Sequence, residues 1–320
     1  MELLFLGTSS GTPTKNRNVS ATAIKAPNAK HWCLVDCGEG TQHQILRTRL
    51  SLNSLQAIFI THVHGDHSYG LPGLLASAAM AGRKDKLYLV GPPEIEAFIK
   101  AVCSLTELYL PYELVFIDSA KLNDCPPEDL ELAVKAIKLS HRVPSHAFSF
   151  SYQSQERKLD IDKLKRAGIK PGPGWGELQK GRDIEQDGEQ VCAGDYLLPM
   201  PKAQKIIICG DNDTPDLLAD EIKSADVLVH EATYTYDIAQ KVGAGPMHSS
   251  AKIVAEFAGK HQLENLVLTH FSARYQNDSS SSPSIWDIEQ EARAYYGGNL
   301  LLASDFDSYK LDKRGVLARF

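Results

Sequence analysis

The chain has no excess of basic residues, no C-x-x-C cysteine pair, and no long apolar segment. Its 320 residues carry a formal net charge of −6, which argues against a surface that is basic throughout but leaves room for a local basic patch. The six cysteines form no C-x-x-C motif, and a chain of this length needs no disulfides, so we expect a reduced, cytoplasmic protein. No stretch approaches the roughly 18 apolar residues of a membrane span, and residues 1–6 lack the basic start of a signal peptide. We therefore expect no membrane partner.

Four residues of metal-ligand type stand within six positions: His62, His64, Asp66 and His67. The segment before them, 57–60, is short and apolar and reads as a buried strand, whereas 71–81 reads as a helix. Gly65 allows the backbone between them to turn tightly. Imidazole nitrogens and carboxylate oxygens suit zinc and its neighbours in the transition series. The pattern predicts a metal site on a strand-to-helix turn.

Three further apolar segments end in residues of the same chemistry. The predicted strands 134–139, 206–209 and 266–269 are followed by His141, Asp211 and His270. A single such residue at a strand end is more often structural, but three of them in one chain strengthen the prediction of a metal centre.

The rest of the chain alternates between strand and helix patterns, including a predicted helix over 215–224, which indicates a mixed α/β fold. One segment differs. Residues 156–182 contain eight Lys or Arg and four Asp or Glu, and 168–176 is rich in glycine and proline, which cannot continue a helix or a central strand. We expect a single domain over 1–320 with an inserted arm at about 151–200.

The run from His62 to His67 resembles the His-x-His-x-Asp-His signature of the metallo-β-lactamase superfamily. Other segments resemble ribonuclease Z, the family of tRNA 3′-processing endonucleases. The similar segments are the arm sequence at 168–181, a Pro-x-Lys-x-Arg-Asn loop at 13–18, a His-Glu-Ala-Thr motif at 230–233, a His-Ser motif at 248–251 and the surroundings of His141 and His270. The resemblance covers residues 1 to about 307. It implies the α/β fold of that superfamily, an αββα sandwich with a protruding arm, and an endoribonuclease that removes the 3′ trailer from precursor tRNA.

The resemblance also implies two zinc ions per subunit and assigns their ligands. His62, His64 and His141 would bind the first ion, Asp66, His67 and His270 the second, and Asp211 would bridge them. The family usually has Gly-Asp-Thr where this chain has two extra residues before the threonine, so Asp213 is an alternative to Asp211. The position at the strand end favours Asp211.

Three residues receive catalytic roles from the same resemblance. Asp66 would orient or deprotonate the attacking water. His248 exceeds the expected ligand set and is better suited to contact the scissile phosphate or to protonate the leaving oxygen. Glu231 would hold the tautomer of His248.

The basic residues of two segments would bind RNA through its phosphates. In the arm, these are Lys163, Lys165, Arg166, Lys170, Lys180 and Arg182, which would contact the tRNA body. Lys15 and Arg17 follow the first strand and would meet the 3′ end. The family also implies a homodimer.

Two other functions are compatible with the sequence. A hydrolase of the same fold acting on small esters or phosphodiesters would need neither the arm nor the loop at 13–18. An RNA-binding protein with a purely structural metal would need only four ligands around one ion, whereas this chain offers seven candidates.

Overall fold

The structure is a computed structural model that describes residues 1–278 and 280–320. In chain order its strands are β1 (Glu2–Gly7), β2 (Ser9–Ser10), β3 (Ala21–Lys25), β4 (Trp32–Val35), β5 (Leu55–Phe59), β6 (Leu87–Gly91), β7 (Leu114–Asp118), β8 (Ala133–Leu139), β9 (Ser145–Tyr152), β10 (Ile184–Gln186), β11 (Glu189–Val191), β12 (Gln204–Cys209), β13 (Val227–Glu231), β14 (Asn265–Thr269), β15 (Phe271–Ser272), β16 (Asn299–Leu302), β17 (Ser308–Leu311) and β18 (Leu317–Arg319).

The α-helices are α1 (Thr41–Leu46), α2 (Gly65–Ser68), α3 (Leu71–Met80), α4 (Pro93–Leu105), α5 (Ile161–Arg166), α6 (Pro173–Gln179), α7 (Ala193–Tyr196), α8 (Tyr236–Val242), α9 (Ala251–Lys260) and α10 (Ile285–Tyr295). Short 3₁₀ turns lie at Leu52–Ser54, Ser119–Lys121, Pro215–Leu218 and Glu221–Ser224. Within the described residues, no helix is both long and apolar enough to cross a bilayer.

The first compact unit, Met1–Tyr152 with Gln204–Phe320, is built on two large sheets. One has the strand order β18-β17-β1-β3-β4-β5-β6-β7, and the other has the order β16-β14-β13-β12-β9-β8. In the first sheet β4, β5, β6 and β7 run parallel, and in the second β12, β13, β14 and β16 run parallel. Since carboxyl ends of parallel strands share one edge of a sheet, residues that follow these strands are brought together there.

Apolar side chains fill three layers of this unit. Between the sheets, the Phe59 ring lies 5.1 Å from Phe148 and 5.2 Å from Phe150, centroid to centroid. Helices α3 and α4 cover the outer face of the first sheet with buried residues such as Leu74. Helices α9 and α10 cover the second with residues such as Val254. This is the predicted αββα sandwich, and that prediction is confirmed.

The second compact unit, Gln153–Ala203, is called the arm from here on. It has a small core of its own, in which Leu164, Ile169, Leu178 and Ala193 are buried. The glycine- and proline-rich run was expected to exclude a helix, which was wrong for its second half: Pro173 begins α6. Proline is tolerated at the first position of a helix, where its missing N–H has no partner to lose.

The arm replaces the turn of a β-hairpin. Tyr152 at the end of β9 and Gln204 at the start of β12 are directly opposed in an antiparallel pair. Strand ends so placed need only two residues to join them. The arm is therefore an insertion that the sandwich does not require for its own connectivity.

Two other expectations differ from the structure. Residues 215–224 form two separate 3₁₀ turns rather than one helix, with Leu218 and Ile222 buried. Leu218 and Ile222 are four residues apart, a spacing that is compatible with one α-helix and also with two consecutive turns. Strands β2, β3, β10, β11, β15, β17 and β18 were not anticipated, and all of them are only two to five residues long.

Candidate metal centre

The predicted ligands meet at the carboxyl ends of strands from both sheets. His62 and His64 follow β5, Asp66 and His67 lie in α2, and His141, Asp211 and His270 follow β8, β12 and β14. Among the described residues the ligand atoms form three overlapping sets, in each of which they lie within 4.8 Å of one another. The first group is His62, His64, His141 and Asp211, and the second group is Asp66, His67 and His270. The third set, Asp211, His248 and His270, shares one residue with each of these groups.

Ring nitrogens approach closely inside each group. His64 Nδ1 lies 3.2 Å from His141 Nε2, and His67 Nε2 lies 3.2 Å from His270 Nε2. Two ring nitrogens this close are directed at a common region of space. In each group, that region is where one ion would be bound.

The carboxylate of Asp211 lies between the two groups. Its Oδ2 is 3.6 Å from His62 Nε2 and 3.7 Å from His141 Nε2. Its Oδ1 is 3.4 Å from Nε2 of both His67 and His270. Each oxygen therefore faces one group. Asp213 instead accepts a hydrogen bond from the Thr214 hydroxyl at 2.8 Å and belongs to neither group.

A buried carboxylate that the sequence analysis missed, Asp36, orients one imidazole of each group. Asp36 Oδ2 accepts a 2.7 Å hydrogen bond from His67 Nδ1. The Thr61 hydroxyl donates to Asp36 and lies 3.0 Å from His62 Nδ1. Both contacts occupy Nδ1 and leave Nε2 directed at the centre, as second partners of metal-binding histidines do. Asp36 directly follows β4. The pattern that predicted the candidate ligands, an apolar strand followed by a histidine or aspartate, could therefore have predicted Asp36 as well.

Glu231 has the same function on the other side of the centre. Its Oε2 accepts from the Thr233 hydroxyl at 2.5 Å, and that hydroxyl lies 3.0 Å from His270 Nδ1. Its Oε1 accepts from His248 Nδ1 and from the Ser249 amide, both at 3.0 Å. Glu231 thus fixes one predicted ligand and the predicted proton donor together. Thr233 was not predicted, although it stands in the His-Glu-Ala-Thr motif.

Charge around His248 and Glu231 favours an ion pair. Burial by itself lowers the pKa of His248, but the Glu231 carboxylate and its hydrogen bond outweigh burial and raise that pKa to about 9. For Glu231, burial raises the pKa, and the charge of His248 outweighs it, so the pKa of Glu231 falls below its ordinary value. The pair holds the His248 ring in one orientation.

Backbone groups complete the support of the site. His141 Nδ1 lies 3.0 Å from the Met247 carbonyl, which accepts its proton. The Gly11 amide donates to Asp66 Oδ2 at 2.7 Å. A side chain on Gly70 would lie 2.1 Å from the Gly38 carbonyl oxygen, so a glycine is required where the loop after β4 meets the segment between α2 and α3.

Two observations show that this donor set fits bound metal ions. Within the described part of the chain, His62 Nε2 and Asp211 Oδ1 are buried without a hydrogen-bond partner, a state that proteins avoid unless another group satisfies the atom. Burial lowers the pKa of His67, yet the charges of Asp36, Asp211 and Asp66 raise it to about 10. The centre therefore attracts positive charge, which metal ions would provide.

Known proteins are similar to this chain over its whole length. A ribonuclease Z of Pseudomonas putida strain W619 is 50% identical over 319 residues, which cover 100% of this chain and 99% of the relative. A ribonuclease Z of Prochlorococcus marinus strain NATL1A is 39% identical over 320 residues, 98% of this chain and 100% of the relative. The chain belongs to the ribonuclease Z family. It is therefore an endoribonuclease, as the catalytic interpretation of the sequence predicted.

Two further comparisons agree with the fold. The crystal structure of the short form of human tRNase Z matches with a TM-score of 0.66 and 26% identity, covering 98% of this chain and 100% of that one. A family model described as "Anti-Pycsar protein Apyc1" matches residues 1–99. That segment contains the run from His62 to His67 but less than half of the chain.

The predicted RNA-binding role of Arg17 needs correction. Its side chain is only 6% exposed. It donates to the Thr8 hydroxyl at 2.7 Å and to the Ala303 carbonyl at 2.6 Å, and it stacks 4.9 Å from the Phe271 ring centroid. Arg17 therefore anchors the N-terminal loop inside the protein. Lys15, two residues before it, is exposed.

The six predicted basic residues of the arm are all exposed. Lys180 and Arg182 share the Glu177 carboxylate at 2.7 and 2.9 Å, and Lys163 donates to the Asp195 carbonyl at 2.6 Å. The whole arm contains nine basic and nine acidic residues. The positive balance of residues 156–182 is thus offset by an acidic segment that follows it.

We predict that Asp211→Ala loses bound zinc and activity together, whereas Asp213→Ala keeps both. Removal of the carboxylate that faces both groups would withdraw one donor from each ion, and two-metal chemistry needs both ions. Metal analysis of the purified variants and a cleavage assay measure this. Loss of zinc in Asp213→Ala with normal content in Asp211→Ala would move the bridge to Asp213.

Proposed function

We propose that this ribonuclease Z uses two zinc ions to cut the 3′ trailer from precursor tRNA in the cytoplasm, leaving a 3′-hydroxyl on the tRNA. The observation that supports this most is the position of Asp211, with one oxygen toward each group of imidazoles. A purely structural zinc site is closed by four protein ligands around one ion. Seven donors arranged about a shared carboxylate instead suit a pair of ions with open positions.

Zinc ions at this centre would be held by side chains of both groups. His62, His64 and His141 would bind one ion, and Asp66, His67 and His270 the other, with Asp211 bound to both. When bound, such a pair supplies an activated water and stabilises charge on the phosphoryl oxygens. Asp66 would orient that water, because its carboxylate belongs to the second group and also borders the open cleft beside the centre.

His248 would give the leaving 3′-oxygen its proton. Nδ1 of His248 donates a hydrogen bond to Glu231. This contact holds the ring and leaves Nε2 to act as the proton donor. Its centroid lies 5.3 Å from that of His141 and 5.5 Å from that of His270, one predicted ligand from each group. A group so placed lies within reach of a phosphodiester held between the ions. Glu231 acts through His248 and is a positioning residue.

The arm would bind the tRNA body through exposed basic side chains, although its charges balance overall. Residues 157–182 carry eight of its basic residues, whereas residues 183–195 carry five acidic ones and no basic one. Helix α5 presents Lys163, Lys165 and Arg166, and Lys170 follows it. RNA phosphates would be attracted to these basic side chains.

A homodimer would form through helices α1 and α3. The two helices contact each other, since the Ser77 hydroxyl donates to Gln42 Oε1 at 3.2 Å. Each ends in an apolar side chain that is largely exposed, Leu46 at 81% and Met80 at 85%. Exposed apolar residues on two helices that contact each other suit a self-complementary contact.

We predict that His248→Ala reduces pre-tRNA cleavage far more than cleavage of a substrate that needs no proton donor. The 3′-oxygen is a poor leaving group, so kcat should fall by about 10²- to 10⁴-fold. Bis(p-nitrophenyl) phosphate releases a stable anion, and its turnover should fall by less than about tenfold. The exposed His43→Ala variant is the control. Equal losses on both substrates would contradict the role of proton donor.

We predict that excising the arm separates the proposed function from hydrolysis of small esters. Replacing residues 153–203 by Asn-Gly joins Tyr152 to Gln204 through a two-residue turn and leaves the centre intact. Wild-type protein should cut labelled pre-tRNA at one mapped position, and the variant should show a raised KM. Turnover of bis(p-nitrophenyl) phosphate should stay within about tenfold, or roughly 1.4 kcal/mol at the barrier.

Two triple variants test the charge argument for the arm within an intact fold. Neutralising Lys165, Arg166 and Lys170 should raise KM and make its dependence on log salt shallower by about two to three. Neutralising Glu185, Asp187 and Glu189 should leave the slope unchanged or tighten binding. If neither excision nor the basic variant alters KM or the salt slope, the arm does not bind the tRNA, and the small-ester alternative gains support.

We predict that Leu46→Asp combined with Met80→Asp converts a dimer to a monomer in sedimentation equilibrium. Charges buried opposite each other across a two-fold contact repel and lose solvation. Leu105→Asp, at an equally exposed position in α4, is the matched control and should stay dimeric. A wild-type monomer, or a dimer that survives the double change, would refute this contact.

A further inference from the structure

An open cleft of about 490 Å³ adjoins the metal centre. Its walls include His64 and Asp66 from the ligand loop, Gly11 from the N-terminal loop, Tyr69 and Arg142. Because one member of each group borders it, a chain whose phosphate lies at the centre must continue into or past this cleft. The residues proposed for catalysis leave Tyr69 and Arg142 without a role.

Tyr69 presents an aromatic ring to this space. The residue is 66% exposed, although burial of an aromatic ring ordinarily stabilises a fold. The ring lies directly over Gly65, where a side chain would lie 2.2 to 2.5 Å from its carbon atoms. The glycine of the ligand motif thus makes room for the ring beside the segment that carries His64 and Asp66.

An exposed ring that lines an open cleft beside the proposed phosphate-binding centre suits a nucleobase. Proteins bind single-stranded RNA by stacking unpaired bases on aromatic side chains, and stacking tolerates any base because each has a π face. Arg142 lies exposed in the same wall, next to His141, and supplies a positive charge for a phosphate.

We propose that Tyr69 is a stacking platform for the base of a nucleotide adjoining the scissile phosphate, and that Arg142 neutralises a phosphate of the same nucleotide. This inference rests on the proposed function and adds a subsite to it. The base bound there is one of the two that flank the cut, because the ring is packed on the ligand loop itself. Such a subsite would position the scissile phosphate along the strand, whereas the arm acts on the tRNA body.

The test combines enzyme variants with substrates that lack one base. Pre-tRNAs carrying a single abasic nucleotide on either side of the cut are compared with the intact substrate, using wild type, Tyr69→Phe, Tyr69→Ala and Tyr109→Ala. Tyr109 is exposed to a similar degree and does not line the cleft. Zinc content and thermal unfolding are measured for each variant to establish that it is folded and loaded.

For intact substrate, Tyr69→Ala should raise KM by about tenfold to a hundredfold, the range expected for the loss of one stacked base. Tyr69→Phe should retain most of the affinity, because the ring is kept. At one of the two positions, the abasic substrate should bind wild type more weakly than the intact substrate does. The same abasic substrate should bind Tyr69→Ala no more weakly than the intact one, because removal of the ring has already eliminated the stacking energy. Tyr109→Ala should behave as wild type.

Other outcomes would overturn the inference. If Tyr69→Ala raises KM but keeps the full abasic penalty at both positions, the ring serves the structure and not a base. An unchanged KM in Tyr69→Ala would refute the platform directly. Wild-type protein that cuts no pre-tRNA would refute the proposed function, and this subsite with it. For Arg142→Ala, a salt slope that does not fall by about one would exclude its phosphate contact.

Discussion

The carboxylate of Asp211 is the feature on which the remainder of the site depends. It is buried, and ring nitrogens of His62, His67, His141 and His270 lie 3.4 to 3.7 Å from its oxygens. Asp66 and Asp36 add further negative charge nearby, which explains why the pKa of His67 is raised so far. Buried like charges of this kind persist in a fold only when positive charge compensates them. The centre is thus built for cations, and its architecture serves to hold the donors in place until cations bind.

Support for the donors comes from two buried carboxylates, one on each side. Asp36 follows a strand of the first sheet and fixes His67 and, through Thr61, His62. Glu231 ends a strand of the second sheet and fixes His248 and, through Thr233, His270. Each sheet therefore supplies one carboxylate that orients imidazoles at the meeting point of both. A change in how the two sheets pack would therefore move the imidazoles of one sheet relative to those of the other.

The order of ligands along the chain could be predicted because it depends on local pattern. An apolar strand followed by a histidine or aspartate is visible in the sequence, and this pattern predicted His141, Asp211 and His270 as candidate ligands, which the structure brings together with the other candidates. The partners of those ligands could not be predicted in the same way. The contact of Thr233 with His270 joins residues far apart in the chain, and such pairs follow from tertiary packing rather than from spacing.

Charge was the least reliable guide. Arg17 is a basic residue in a motif that was predicted to bind RNA, but its side chain is buried and donates hydrogen bonds to Thr8 and Ala303. The positive balance of the arm was real for 156–182 but disappeared when the whole unit was counted. A segment chosen from the sequence can begin and end inside a folded unit. The net charge of such a segment therefore differs from the net charge of the unit, as it does for 156–182 and the arm.

The central claim is that Asp211 joins two metal ions, and anomalous diffraction tests it most directly. Crystals of the protein grown with zinc should give two anomalous peaks at the zinc edge, about 3.5–4 Å apart. The account predicts one peak beside Oδ2, among His62, His64 and His141, and the other beside Oδ1, among Asp66, His67 and His270. A single peak, or two peaks of which only one contacts Asp211, would contradict it.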